Sequence, residues 1–179
     1  MKKLLLTLIT ATLSLAAMAQ ERPLWMRFCT ISPDGQMIAF SYKGDLFTVP
    51  VTGGTAKQLT TNPSYDYCPV WSPDGSKIAF ASDRENGINV WIIPSQGGTP
   101  RQITTSSHHK NLMTFTDNEH LLFSMADMPT RQSIIPSLGK FPQVYEVSIK
   151  GGRPQLYSGL MMADININRA TGDVLYHDI

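Results

Sequence analysis

Between Tyr67 and Thr104, short apolar runs with a period of two alternate with compact turn sequences. Cys68 to Trp71 is a β-prone run, and Ser72-Pro73-Asp74-Gly75 closes it. Pro presets φ, Asp bonds its own backbone, and Gly takes the positive φ that completes the turn. Lys77 to Ala81 then alternates, with Ile78 and Phe80 on one face and Lys77 and Ala79 on the other, which predicts the second strand of a hairpin. A turn at Asp83 to Gly87 leads to a third strand over Asn89 to Ile93. After Gly97-Gly98, the run Arg101-Gln102-Ile103-Thr104 predicts a short fourth strand at an outer edge. Four such strands make a small sheet that cannot bury both faces alone.

The unit recurs. Ser32-Pro33-Asp34-Gly35 lies 40 residues before Ser72 to Gly75. Phe40 then matches Phe80, Leu46-Phe47 matches Val90-Trp91, Gly53-Gly54 matches Gly97-Gly98, and Gln58-Leu59-Thr60 matches Gln102-Ile103-Thr104. A third copy carries Phe115-Thr116-Asp117-Asn118-Glu119 at the turn, Leu121-Leu122-Phe123 as the second strand, and Val144-Tyr145 followed by Gly151-Gly152. Its middle connection, Asp127 to Pro142, is longer than in the second copy. A fourth begins at Ile165-Asn166-Ile167-Asn168, turns near Thr171-Gly172-Asp173 and runs into Val174-Leu175-Tyr176.

A period of roughly 40 to 45 residues with four strands each is the pattern of propeller blades rather than of helical repeats. The expected fold is all-β: a β-propeller of four-stranded antiparallel blades, incomplete, with about three and a half blades over residues 27–179. The blades fall near 27–62, 63–106 and 107–159, and the next starts at 160–179. Three and a half blades do not close a ring, so the expectation is an N-terminal part of a longer polypeptide, with exposed strand edges that favour association.

At the amino end, Met1-Lys2-Lys3, the apolar run Leu4 to Ala16 and Ala17-Met18-Ala19 before Gln20 have the layout of a cleaved secretory signal peptide over residues 1–19. The apolar run is shorter than the ~20 residues of a membrane span. The expected location is periplasmic or secreted, with no membrane association after cleavage. Residues 20–26 form a lead-in, with Leu24 and Trp25 expected against the first blade. Cleavage removes Lys2 and Lys3, so 15 basic residues fall to 13 against 14 acidic, and the net charge moves from +1 to −1. That balance offers no electrostatic basis for nucleic-acid binding.

Candidate chemistry is sparse. Cys29 aligns with Pro69 and Cys68 with Phe28, so the two thiols fall one step out of phase and are expected not to bridge. His108-His109-Lys110 sits in a polar loop expected over Thr105 to Lys110, and no other ligand stands at a fitting spacing for a metal. His120 and His177 read as a turn residue and a strand-end residue. Asp34 and Asp74 are explained by turn chemistry, Asp83 and Arg84 suggest a local ion pair, and Trp71 and Trp91 belong between blades. No catalytic, cofactor-binding or metal residue is assigned, because no nucleophile elbow, zinc-protease helix or phosphate loop is present.

The repeats Ile-Ser-Pro-Asp-Gly followed by Ile-Ala-Phe, a strand, and Gly-Gly before Gln-Leu-Thr resemble the propeller repeats of TolB and the tricorn protease. Pro23-Leu24-Trp25, then Ile31 to Gly35 and Phe40-Ser41-Tyr42-Lys43-Gly44-Asp45-Leu46, resemble the start of exported tricorn-type serine peptidases of the Bacteroidetes group. This resemblance implies a propeller that gates or docks a peptide or protein substrate for a C-terminal serine-peptidase domain beyond Ile179, and no catalytic site within the chain. The remaining domains of the same polypeptide would be its partners, no cofactor is implied, and a homo-oligomer is left open. The alternative is a non-enzymatic, TolB-like periplasmic propeller that binds proteins. Similar repeats also precede hydrolase domains of the prolyl-oligopeptidase type.

Overall fold

The computed structural model describes residues 25–85, 87–105, 110–126, 142–160, 162–168 and 171–178. Its strands fall into the four predicted units. The first holds β1 (Arg27–Ile31), β2 (Met37–Tyr42), β3 (Asp45–Pro50) and β4 (Lys57–Gln58). The second holds β5 (Asp66–Trp71), β6 (Lys77–Ser82), β7 (Asn89–Pro94) and β8 (Arg101–Gln102). The third holds β9 (Lys110–Phe115), β10 (His120–Ala126), β11 (Pro142–Ser148) and β12 (Gln155–Ser158), and the fourth β13 (Met162–Ile167) and β14 (Val174–Asp178). Each four-stranded unit is an antiparallel meander in chain order, and β13 pairs with β14 in a two-stranded sheet. The long connection 127–141 and His108-His109 lie outside the described residues.

Local chemistry sets the meander. Lys43 and Gly44 take φ of 53° and 91° between the paired ends Tyr42 and Asp45, the left-handed pair that a two-residue hairpin needs. The first strand of each four-stranded unit carries a β-bulge at one register position, opposite Phe40, Phe80 and Phe123. Phe28 and Cys68, which the repeat alignment matches, share the same left-handed backbone, with φ of 53° and 51°. Cys29 and Cys68 are both thiols.

The sheets stack face to face in chain order through their first strands, β5 packing across β1, β2 and β3. Between sheets one and two lie Ala39, Leu46 and Leu59 on one side, and Trp71, Ile78, Phe80, Trp91 and Ile93 on the other. Between two and three, Ala79, Val90, Ile92 and Ile103 meet Leu112, Phe115, Leu121, Phe123, Val147 and Ile149. Leu122 and Val144 of the third sheet pack on Met162 and Ile165 of the fourth. The middle sheet is therefore buried on both faces, and Trp71 and Trp91 lie between blades as expected.

Three local expectations are corrected. In the first two sheets the outer strand stops after two residues: Leu59 and Ile103 turn into the core, while Thr60 and Thr104 turn their hydroxyls inward. Trp25 is 64% exposed, with the Arg27 guanidinium 5.3 Å from its ring centre, instead of lying against the first sheet, and Leu24 lies outside the described residues. Lys110 opens β9 and is buried, because its ammonium finds the Asn89 side chain at 3.0 Å and the Ile88 carbonyl at 3.3 Å.

Candidate functional site

Antiparallel order places the Ser-Pro-Asp-Gly turns and the Gly-Gly turns at one end of the first two sheets, and the β2–β3 and β6–β7 connections at the other. At the first end, the Ser32 hydroxyl accepts the Met37 amide at 2.9 Å and donates to Asp34 Oδ1, which also accepts the Gln36 amide at 3.0 Å. The second copy repeats this: Ser72 Oγ accepts the Lys77 amide at 2.9 Å and donates to Asp74 Oδ1 at 2.6 Å, and the Ser76 amide donates at 2.9 Å. The Ser32 hydroxyl and Gln36 amide hold the Asp34 carboxyl below its usual range. The Ser72 hydroxyl and Ser76 amide hold Asp74 down at about 2.

These two turns rim a groove of about 460 Å³ between the first and second sheets. Trp71 and Met37 form apolar wall, with Pro33, Pro50 and Pro73 beside them. Lys57 crosses the outer end, donating from Nζ to the Gln96 carbonyl at 2.7 Å. The same register position in the second sheet is Arg101, whose guanidinium donates to the Ile149 carbonyl at 2.5 Å in the third. Each cation thus latches its own outer strand to the Gly-Gly end of the next sheet. A further bond between sheets joins turn to turn, from the Asp74 amide to Asn118 Oδ1 at 2.9 Å.

The opposite end is aromatic and charged. Phe28 and Tyr67 rings lie 5.7 Å apart and Tyr65 and Tyr67 5.4 Å apart, with Phe28 and Tyr65 both exposed. Burial first, then the charges of Cys68 and Asp83, push the Tyr67 phenol up to about 12. The expected Asp83–Arg84 pair does not form. Asp83 accepts the Tyr65 amide at 2.7 Å, and Arg84 instead pairs with Asp66, which is buried. The Arg84 guanidinium also lies 5.0 Å from the Trp91 ring centre and 5.5 Å from that of Phe80, so aromatic faces and a carboxylate together compensate its desolvation.

His120 bonds Asp117 through Nδ1 at 2.9 Å, and this hydrogen bond raises its imidazole above the usual value. His177 lies in β14. Among the described residues no group of three or more His, Cys, Asp or Glu could hold a metal ion. The arrangement offers a groove with two fixed carboxylates, an ammonium and an indole wall at one end, and an aromatic surface at the other.

Stacked four-stranded meanders joined through their first strands define a β-propeller module. The chain belongs to the family of the tricorn protease N-terminal β-propeller domain, whose model matches residues 23–179. It is similar to tricorn protease homolog 1 of Streptomyces coelicolor, with 32% identity over 82 residues, 46% of this chain and 8% of that protein. It also resembles dipeptidyl-peptidase 5 of Porphyromonas gingivalis, with 36% identity over 87 residues, 43% of this chain and 13% of the relative. The matched segments are thus a small part of either relative. A solved structure assigned as TolB from Agrobacterium tumefaciens superposes with a TM-score of 0.68 at 20% identity, over 88% of this chain and 61% of that one. That likeness concerns the fold.

Proposed function

We propose that the chain is the substrate-handling propeller of an exported, tricorn-like serine peptidase, in which a separate domain of a longer polypeptide hydrolyses peptides. The family match across residues 23–179 carries this reading. The groove between the first two sheets supports a docking role, since its indole and proline walls suit an extended peptide and its fixed carboxylates suit a basic side chain. Signal-type residues 1–19 support a periplasmic or secreted location.

The test is to express the polypeptide of the full reading frame and follow hydrolysis of a fluorogenic peptide library. Hydrolysis is expected, and Asp74→Ala is expected to raise KM for basic peptides while leaving kcat unchanged, the mark of lost uniform binding. Absence of hydrolysis, with protein partners captured instead, would favour a TolB-like binding propeller. Hydrolysis limited to dipeptidyl substrates would align the protein with the dipeptidyl-peptidase relative.

A further inference from the structure

Four buried side-chain atoms have no hydrogen-bond partner among the described residues: Ser41 Oγ, Asp66 Oδ1, Arg84 Nε and Trp91 Nε1. Three of the residues touch one another, and the fourth lines the same seam. Arg84 pairs with the other oxygen of Asp66 and lies over the Trp91 ring. Trp91 packs in the seam between the first and second sheets, against Ala39 and Leu46. Ser41 follows Ala39 by two residues on the same face of β2 and stands opposite Leu46 in the ladder, so it lines that seam from the first sheet. All four side chains are at least nine-tenths buried.

The donors and acceptors balance. Arg84 Nε–H and Trp91 Nε1–H only donate, Asp66 Oδ1 only accepts, and the Ser41 hydroxyl can accept. One water molecule has two lone pairs and two protons, and with the Ser41 hydroxyl turned to accept, these four groups present it with two donors and two acceptors. An anion would face Asp66 and a cation would face Arg84, so the charge of the pair selects a neutral occupant. Buried waters typically satisfy such groups with about three bonds each.

We propose that one ordered water sits in this seam, accepting from Arg84 Nε and Trp91 Nε1 and donating to Asp66 Oδ1 and Ser41 Oγ. Three of its partners are in the second sheet and one is in the first. The water therefore ties the Arg84–Asp66 pair to the neighbouring blade and completes a polar joint inside an otherwise apolar seam.

A high-resolution crystal structure of the chain tests this. The expected result is one fully occupied solvent peak about 2.7–3.2 Å from each of the four atoms. Rotation of Arg84 to a two-bond pair with Asp66, consuming both Nε and Oδ1 with no solvent between, would overturn it. So would a solvent peak bound to the second sheet alone, with Ser41 bonded elsewhere. In solution, the Trp91 indole proton, assigned by its loss in Trp91→Phe, should show a cross-relaxation peak to water from a bound molecule. Ser41→Ala, which leaves the indole in place, should shorten the residence of that water and weaken the peak. A Trp91 indole with no water peak in the unaltered chain refutes the joint.

Discussion

At the scale of single residues, a threonine hydroxyl closes each of the first two sheets. Thr60 Oγ1 accepts the buried Leu46 amide at 2.9 Å and donates to Asp45 at 3.1 Å, while Thr104 accepts the Val90 amide at 3.0 Å and donates to Asn89 at 3.1 Å. Thr104→Val keeps the shape and removes the acceptor, so it should destabilise the chain by about 1–3 kcal/mol in urea titrations, the cost of an unmet buried donor. Titration gives a second residue-scale expectation. Burial lowers the Lys110 ammonium to about 8. Between that value and its unfolded 10.5, the unfolded chain holds a proton that the folded chain has released, so stability rises with pH. Tyr67 works in the opposite direction, because above pH 10 the unfolded phenol ionises while the folded one keeps its proton up to about 12. Melting midpoints should therefore climb above about pH 8 and fall above about pH 10. Lys110→Met should abolish the climb, and Tyr67→Phe should flatten the fall.

At the scale of elements, Lys57 and Arg101 act as latches across two separate seams. Lys57→Met and Arg101→Met should each cost about 0.5–1.5 kcal/mol in urea unfolding. The pair should be additive, since the two bonds share no partner. Much of the element pattern was legible because its causes are local: the Ser-Pro-Asp-Gly and Gly-Gly turns encode their own geometry within four residues. The Arg84–Asp66 pair was not legible, because it depends on the β5–β6 register that sets Asp66 opposite Ser82, two residues before Arg84. Lys110 reads as a loop residue because charge near His108-His109 suggests solvation, and only the neighbouring sheet supplies its acceptors. The threonine clamp left a usable signal: Asp45 and Asn89 precede Thr60 and Thr104 by 15 residues. The candidate groove was hidden for a different reason, being a space between repeats to which each repeat contributes one wall.

At the scale of the whole molecule, burial is uneven along the stack. β6 and β7 sit in a sheet covered on both faces, with Ile78, Phe80, Val90 and Ile93 fully enclosed. β1 instead leaves Phe28 and Ile31 exposed, and β14 exposes Leu175 and Tyr176. Amide hydrogen exchange should accordingly be slowest in β6 and β7 and fastest in β1 and β14, because local opening follows apolar cover. Equal protection across all strands would show that the sheets unfold as one unit.

The seams also share an orientation. Phe80 with Trp91, and Phe123 with Tyr145, are cross-strand aromatic pairs that face the preceding sheet, while Ala39 with Leu46, and Ala79 with Val90, form the smaller-residue side that receives them. Phe40 and Phe47 present the same pairing on the first sheet, with rings 5.8 Å apart. Contact between an aromatic face and a small-residue face is heterologous, so it carries a direction that a two-fold axis would reverse. Any body added through these faces must join head to tail, and whether the series closes or runs on is then set by the rotation between one sheet and the next.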